Sequence, residues 1–162
     1  MRSPSTWSPR RTCRDGRGSA TLATMKVVVI GCGRVGSTCA LTLHAEGWDV
    51  CAVDEKEEAL QRLGDDWTGD FIVGHGMDAD VLRRAGVENA DAVIVATDGD
   101  NTNLVVAQVV QRRFGVANVV VRVLDPARAA FYDTLGLRTI CPTSRAATAL
   151  TDEVRSFAGA TA

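Results

Sequence analysis

The sequence predicts an α/β protein: a doubly wound parallel sheet of about six strands, in the order 3-2-1-4-5-6, followed by a C-terminal helix. Three observations carry that prediction. Short apolar runs alternate with helical patterns throughout residues 25–142. One run, Val27-Val28-Val29-Ile30, enters a G-x-G-x-x-G turn made by Gly31, Gly33 and Gly36. Another, Val50-Cys51-Ala52-Val53, ends in Asp54, close to the ~20-residue interval at which such a turn is followed by an acid that meets a ribose.

The three glycines have separate tasks. Gly31 permits the sharp turn, Gly33 lets the backbone approach a pyrophosphate, and Gly36 lets the helix lie close on the strand. The N–H groups and positive dipole end of that helix face whatever anion is bound, so Cys32, Arg34 and Val35 join the glycines as candidate contacts. A Rossmann-type nucleotide site is the reading.

A chain of 162 residues with 46% hydrophobic content is long enough for one well-buried domain. The apolar runs are broken by glycine or charge well before the ~20 residues of a membrane span, so the chain reads as soluble. Its formal charge of −2 is uneven. Residues 1–24 hold five arginines against one aspartate, a balance of +4, which leaves −6 over residues 25–162. An acidic body is a poor fit to nucleic acid. Five cysteines without a C-x-x-C pair suit a reducing, cytosolic setting rather than a disulfide framework or zinc site. No metal site is predicted. The Arg-, Ser- and Pro-rich extension over 1–24 is read as disordered, with translation starting at Met25.

From the turn onward the elements follow in order. Val35, Cys39, Ala40 and Leu43 have helical spacing that stops at Gly47, with His44 as a solvated residue of the last turn. Trp48 to Val53 is the second strand. Glu57 to Leu63 reads as a short helix, Gly64 to Asp70 as a polar loop and Phe71-Ile72-Val73 as the third strand. Gly74-His75-Gly76 turns the chain, Asp78 caps a helix to Ala85, and Gly86 ends it. Ala92 to Ala96 is a fully apolar fourth strand. The loop Thr97 to Asn103 leads into a helix carrying Leu104, Val105, Val109 and Val110. Val119 to Val123 is the fifth strand, Pro126 opens a helix through Leu135, and Thr139 to Cys141 forms a short sixth strand. Thr143 or Ser144 then caps a last helix over 143–162, whose stripe of Ala147, Leu150, Val154 and Phe157 must pack on the chain's own sheet or on another subunit.

Among the candidate site residues, Asp54 accepts from ribose hydroxyls, and its charge, reinforced by Glu55, disfavours NADP by repelling a 2′-phosphate. Arg34 opposes the dipole of the helix it begins unless a bound phosphate compensates it. Thr97, Asp98, Asp100 and Asn103 follow the fourth strand beside the crevice, where some must cap the helix. Arg122, a charge in an apolar strand, needs a partner: phosphate, Asp125 or an acid across the sheet. His75 is within reach of an adenine or ribose edge. The Cys32 thiol is either activated by the helix N-terminus or inert.

The combination of Gly31 to Gly36 with Arg34, then Asp54, then Ala96-Thr97-x-Asp-x-Asp100-x-x-Asn103, then Arg122, resembles the Trk/Ktr-type regulatory subunits of potassium transport, the KTN or RCK N-terminal domains, over Met25 to Pro142. The resemblance implies a cytosolic regulator that binds NAD(H) or the adenine nucleotides ATP and ADP, and that gates a membrane potassium transporter from the inner face of the plasma membrane. It implies that Gly31, Gly33, Gly36 and Arg34 hold phosphates, that Asp54 holds ribose, and that Asp100, Asn103 and Arg122 complete the site. His75 stands where the family often has an acid, and the family's C-terminal ligand domain has no counterpart here, so a homo-oligomer or a companion regulatory chain is expected. An NAD-dependent oxidoreductase is the alternative. It needs an acid/base group, but the lysines are only Lys26 and Lys56, and Tyr132 has Gly136 where a Tyr-x-x-x-Lys dyad wants lysine. No catalytic residue is predicted.

Overall fold

A computed structural model describes residues 24–159. The Arg-rich extension read over 1–24 lies, apart from Thr24, outside the described residues. Six strands, β1 (Lys26–Ile30), β2 (Asp49–Asp54), β3 (Asp70–Val73), β4 (Ala92–Val95), β5 (Val119–Arg122) and β6 (Arg138–Ile140), form one all-parallel sheet in the order β3-β2-β1-β4-β5-β6. The order reverses between β1 and β4, and α/β sheets bind ligands beyond the strand ends at such a switch. Register places Ile30 opposite Val53 on one side and Val95 on the other. The carboxyl ends of β1, β2 and β4 are therefore level.

Alternation along the strands divides the core into two layers. Val28 and Ile30 face one layer with Leu82, Val106 and Val110, which come from α2 (Ala79–Arg84) and α3 (Asp100–Arg113). Val27 and Val29 face the other with Ala40 of α1 (Arg34–Ala45), and with Ala59 and Leu63. Both sheet faces are apolar because both are covered, which is why β1 reads as an unbroken valine run.

Several local expectations change. The short helix expected over Glu57 to Leu63 is present as Glu57–Arg62, with 3-10 winding. Only Ala59 within it is buried, so packing gives no reason to extend it, and 3-10 winding is typical of such short pieces. His44 is half-buried rather than solvated: its ring lies 4.8 Å from that of Trp67, and Nε2 is 2.9 Å from Thr68 Oγ1. Asp125, one candidate partner of Arg122, instead caps α4 (Pro126–Thr134) by accepting from the Arg128 amide at 3.0 Å.

The last helix, α5 (Pro142–Gly159), begins one residue before its expected cap. Proline suits a first helical position because its missing N–H would have no intrahelical acceptor there. Thr143 and Ser144 are thus inside the first turn, and the Ser144 amide donates to Cys141 Sγ at 3.4 Å. The apolar stripe of α5 does not pack on the sheet. Leu150 is 69% exposed, Val154 65% and Phe157 63%.

Candidate functional site

The crevice at the switch point follows from the turn after β1. Gly31 has φ +93°, and a Cβ on it would come within 2.5 Å of the Thr97 amide nitrogen. A Cβ on Gly36 would lie 1.8 Å from Gly31 O. Both glycines are thus imposed by the protein's own packing. Gly33 differs: nothing lies within 4 Å of its Cβ position. Its backbone opens onto a crevice of about 640 Å³ and precedes α1, which has neither a side-chain cap nor an acid in its first turn. The first amides of α1 have no intrahelical acceptors, and Gly33, Arg34 and Val35 at this helix start line the crevice.

The crevice gathers Gly31, Gly33, Arg34, Val35, Asp54, His75, Thr97, Asp98 and Arg122 from the residues singled out in the sequence. Gly36 and Cys32 stand behind it. The Cys32 amide donates to Asp54 Oδ2 at 2.7 Å, while its side chain turns toward Ala59 O. Burial, with the Asp54 charge adding to it, pushes the Cys32 thiol up to about 11, so the activated reading fails and the thiol is inert at neutral pH.

Asp54 has two roles. Besides Cys32, its carboxylate accepts from the Lys56 amide at 3.0 Å, so it ties the glycine turn to the tip of β2. An ionised carboxylate offers about four lone-pair sites. Two remain for ligand hydroxyls.

Asn103 and Asp100 organise the crevice from outside its lining. Asn103 is fully buried; its Oδ1 accepts from Thr97 N (2.9 Å) and Thr97 Oγ1 (2.6 Å), and its Nδ2 donates to the carbonyls of Thr97 (3.0 Å) and Arg122 (2.9 Å). One amide thereby fixes the ends of β4 and β5. Asp100 accepts from the amides of Leu124 (2.8 Å) and Asp125 (3.0 Å), pinning the chain after β5.

Arg122 Nη2 donates to Thr97 O. Its Nε is buried without a hydrogen-bond partner, and no carboxylate pairs with it among the described residues. A part-buried guanidinium with an unpartnered Nε, lining a crevice, suits an anionic ligand. His75 Nδ1 accepts from the Met77 amide at 3.2 Å, which places any proton of the neutral ring on Nε2, 3.9 Å from Glu55.

Glu55, read beside Asp54, lines the crevice as well, whereas Lys56, Arg62, Gly76 and Thr102 were missed as lining residues. Lys56 follows Asp54 and Glu55 directly, and Gly76 belongs to a visible Gly-His-Gly turn. Arg62 carried no such signal, because its position depends on the winding of the segment before it.

The residues present fit a nucleotide, with an open backbone cradle at Gly33, free helix amides, an orphaned arginine nitrogen and an acid with spare acceptor sites. Comparison with known proteins agrees in fold and family. The model of the TrkA-N domain family matches residues 27–142. The Trk system potassium uptake protein TrkA of Streptomyces coelicolor is 42% identical over 116 residues, which span 72% of this chain and 52% of that protein. The TrkA protein of Vibrio alginolyticus is 35% identical over 102 residues, spanning 63% of this chain and 22% of that one. The chain thus spans about half the length of the first of these relatives and about a fifth of the second.

Among solved structures, the Kef C-terminal domain of Shewanella denitrificans in an AMP-bound form superposes with a TM-score of 0.73 at 23% identity, covering 83% of this chain and 82% of that one. The GsuK channel bound to NAD superposes with a TM-score of 0.69 at 21% identity, covering 83% and 24%. These show the fold. By the match across residues 27–142, this chain belongs to the TrkA-N domain family.

Proposed function

We propose that this chain is a cytoplasmic, nucleotide-sensing regulatory unit of a potassium uptake system. In this reading residues 25–142 bind an adenosine nucleotide and residues 143–162 make a subunit contact. The observation that carries the ligand is Gly33: its Cβ position is empty of protein, at an uncapped helix start flanked by Arg34 and Arg122. NAD(H), ADP and ATP share the half that this crevice can read. The structures with AMP, ADP and NAD among those of similar fold support that class, and the relatives' names support potassium uptake.

The transporter is the membrane partner. No described helix is long and apolar enough to cross a membrane, so in this reading the unit is held at the inner face through its partner. The oxidoreductase alternative gains nothing, since Tyr132 is not among the crevice-lining residues.

The nucleotide assignment is tested at Asp54. Asp54→Ala removes the acceptor for ribose hydroxyls and for two backbone amides. It should weaken NAD binding by about 1.5–3 kcal/mol, as expected for losing hydrogen bonds to a charged group. On the native protein, NADP should compete poorly against NAD because Asp54 and Glu55 repel the 2′-phosphate. Equal inhibition constants for the two in a competition titration would remove Asp54 from the ribose.

A sensor with this fold must pass its state to other subunits, and α5 offers the surface. Leu150 and Val154 lie four residues apart, so they share one helix face, and both are exposed. Leu135 and Phe131 of the α4 region are exposed as well. We read α5 as the centre of a homo-oligomer contact. Leu150→Asp with Val154→Asp should raise the dissociation constant by about a thousandfold, taking each as a hot spot of about 2 kcal/mol, without loss of nucleotide binding. Light scattering reads the outcome, and a monomeric wild type or an unaltered oligomer contradicts it.

A further inference from the structure

The 3-10 winding of Glu57–Arg62 decides where Arg62 goes. With three residues per turn, side chains at i and i+3 eclipse, so Arg62 stands above Ala59. Ala59 is 2% exposed and both residues line the crevice. In an α-helix the same sequence would set Arg62 above Glu58, four residues earlier, as a surface ion pair. Among the described residues, no carboxylate lies within ion-pairing distance of Arg62. An exposed arginine with two glutamates on its own short element, paired to neither and facing a ligand crevice, is an available cation.

Arg34 enters the same crevice from the first turn of α1 and is likewise unpaired among the described residues. We propose that Arg62 is a second phosphate-reading cation of this site, acting with Arg34 across the glycine turn, and that the pair selects adenosine ligands carrying a phosphate chain over adenosine itself. This rests on the nucleotide reading above and extends it to a residue that neither the glycine motif nor the acid of β2 implicates. The Arg62 charge reaches the turn: it lowers the Cys32 thiol against the larger opposing effect of burial. Guanidinium is suited to the task because its planar donors grip phosphate oxygens in pairs.

The test is calorimetric titration of the wild type, Arg62→Gln and Arg62→Lys with ADP, AMP and adenosine. The wild type is expected to bind ADP best and adenosine least. Arg62→Gln should weaken ADP by about fivefold, a modest value because the side chain is exposed and screened. It should leave adenosine affinity and melting temperature unchanged, and Arg62→Lys should recover part of the ADP loss. Raising salt should narrow the ADP difference between wild type and Arg62→Gln. Unchanged ADP affinity, or an equal loss for adenosine, overturns the role of Arg62 while leaving the site itself standing. A wild type that binds none of the three overturns the nucleotide reading, and this role with it.

Discussion

Gly36→Ala should destabilise the protein by about 3 kcal/mol or more, the upper end of what overpacking costs. The added Cβ would lie 1.8 Å from Gly31 O and 2.9 Å from Gly31 C, both backbone atoms. Gly31 has little freedom to retreat. Its amide donates to Val53 O at 2.8 Å, and its far side is closed by the Thr97 backbone. Relief therefore requires α1 to lift from β1, opening the layer that contains Val29, Cys32 and Ala40. Gly33→Ala is the matched control, because no atom lies within 4 Å of the new methyl group. Denaturant unfolding of the two variants should show a large loss for the first and a small one for the second. Equal losses would mean that the turn is less tightly built than its geometry implies.

Asn103→Leu should be comparably damaging, for a chemical rather than a steric reason. The side chain is nearly the same size and fully buried, but it strands the Thr97 amide and the Arg122 carbonyl and leaves the Thr97 carbonyl with only the Arg122 guanidinium. Each unsatisfied buried group costs about 1–3 kcal/mol, so a total loss of about 3 kcal/mol or more is expected. The ends of β4 and β5 should loosen, and hydrogen exchange at Thr97 and Val123 should accelerate. Nucleotide affinity should fall too, since Thr97 and Arg122 line the crevice. Wild-type protection at these amides in the variant would show that the clamp is dispensable.

These two residues show what sequence could and could not convey. The strand order was legible because valine runs covered on both faces, separated by helical patterns, permit few parallel arrangements. Gly31, Gly33 and Gly36 were legible as a motif. Their division of labour was legible too, Gly31 and Gly36 for the chain's own packing and Gly33 for a ligand, but how tightly the two packing glycines are enclosed was not, since that depends on the distance from each Cβ position to backbone brought close by the fold. Asn103 read as a ligand contact because it closes a polar loop after an apolar strand, yet its burial beneath Thr97 makes it a brace. Arg122 was legible as a charge in need of a partner. Arg62 was hidden by a choice between α and 3-10 winding that six residues of sequence do not settle. The fate of the α5 stripe was equally open, because periodicity marks an apolar face without naming what covers it.

The central claim is that the turn after β1 binds the phosphates of an adenosine nucleotide through backbone left open at Gly33. Calorimetric titration of ADP and NAD into the wild type and Gly33→Val tests it most directly. The account predicts saturable binding by the wild type, and loss of that binding in a variant whose melting temperature stays near the wild-type value. Absence of binding by the wild type, or unchanged affinity in Gly33→Val, would contradict it.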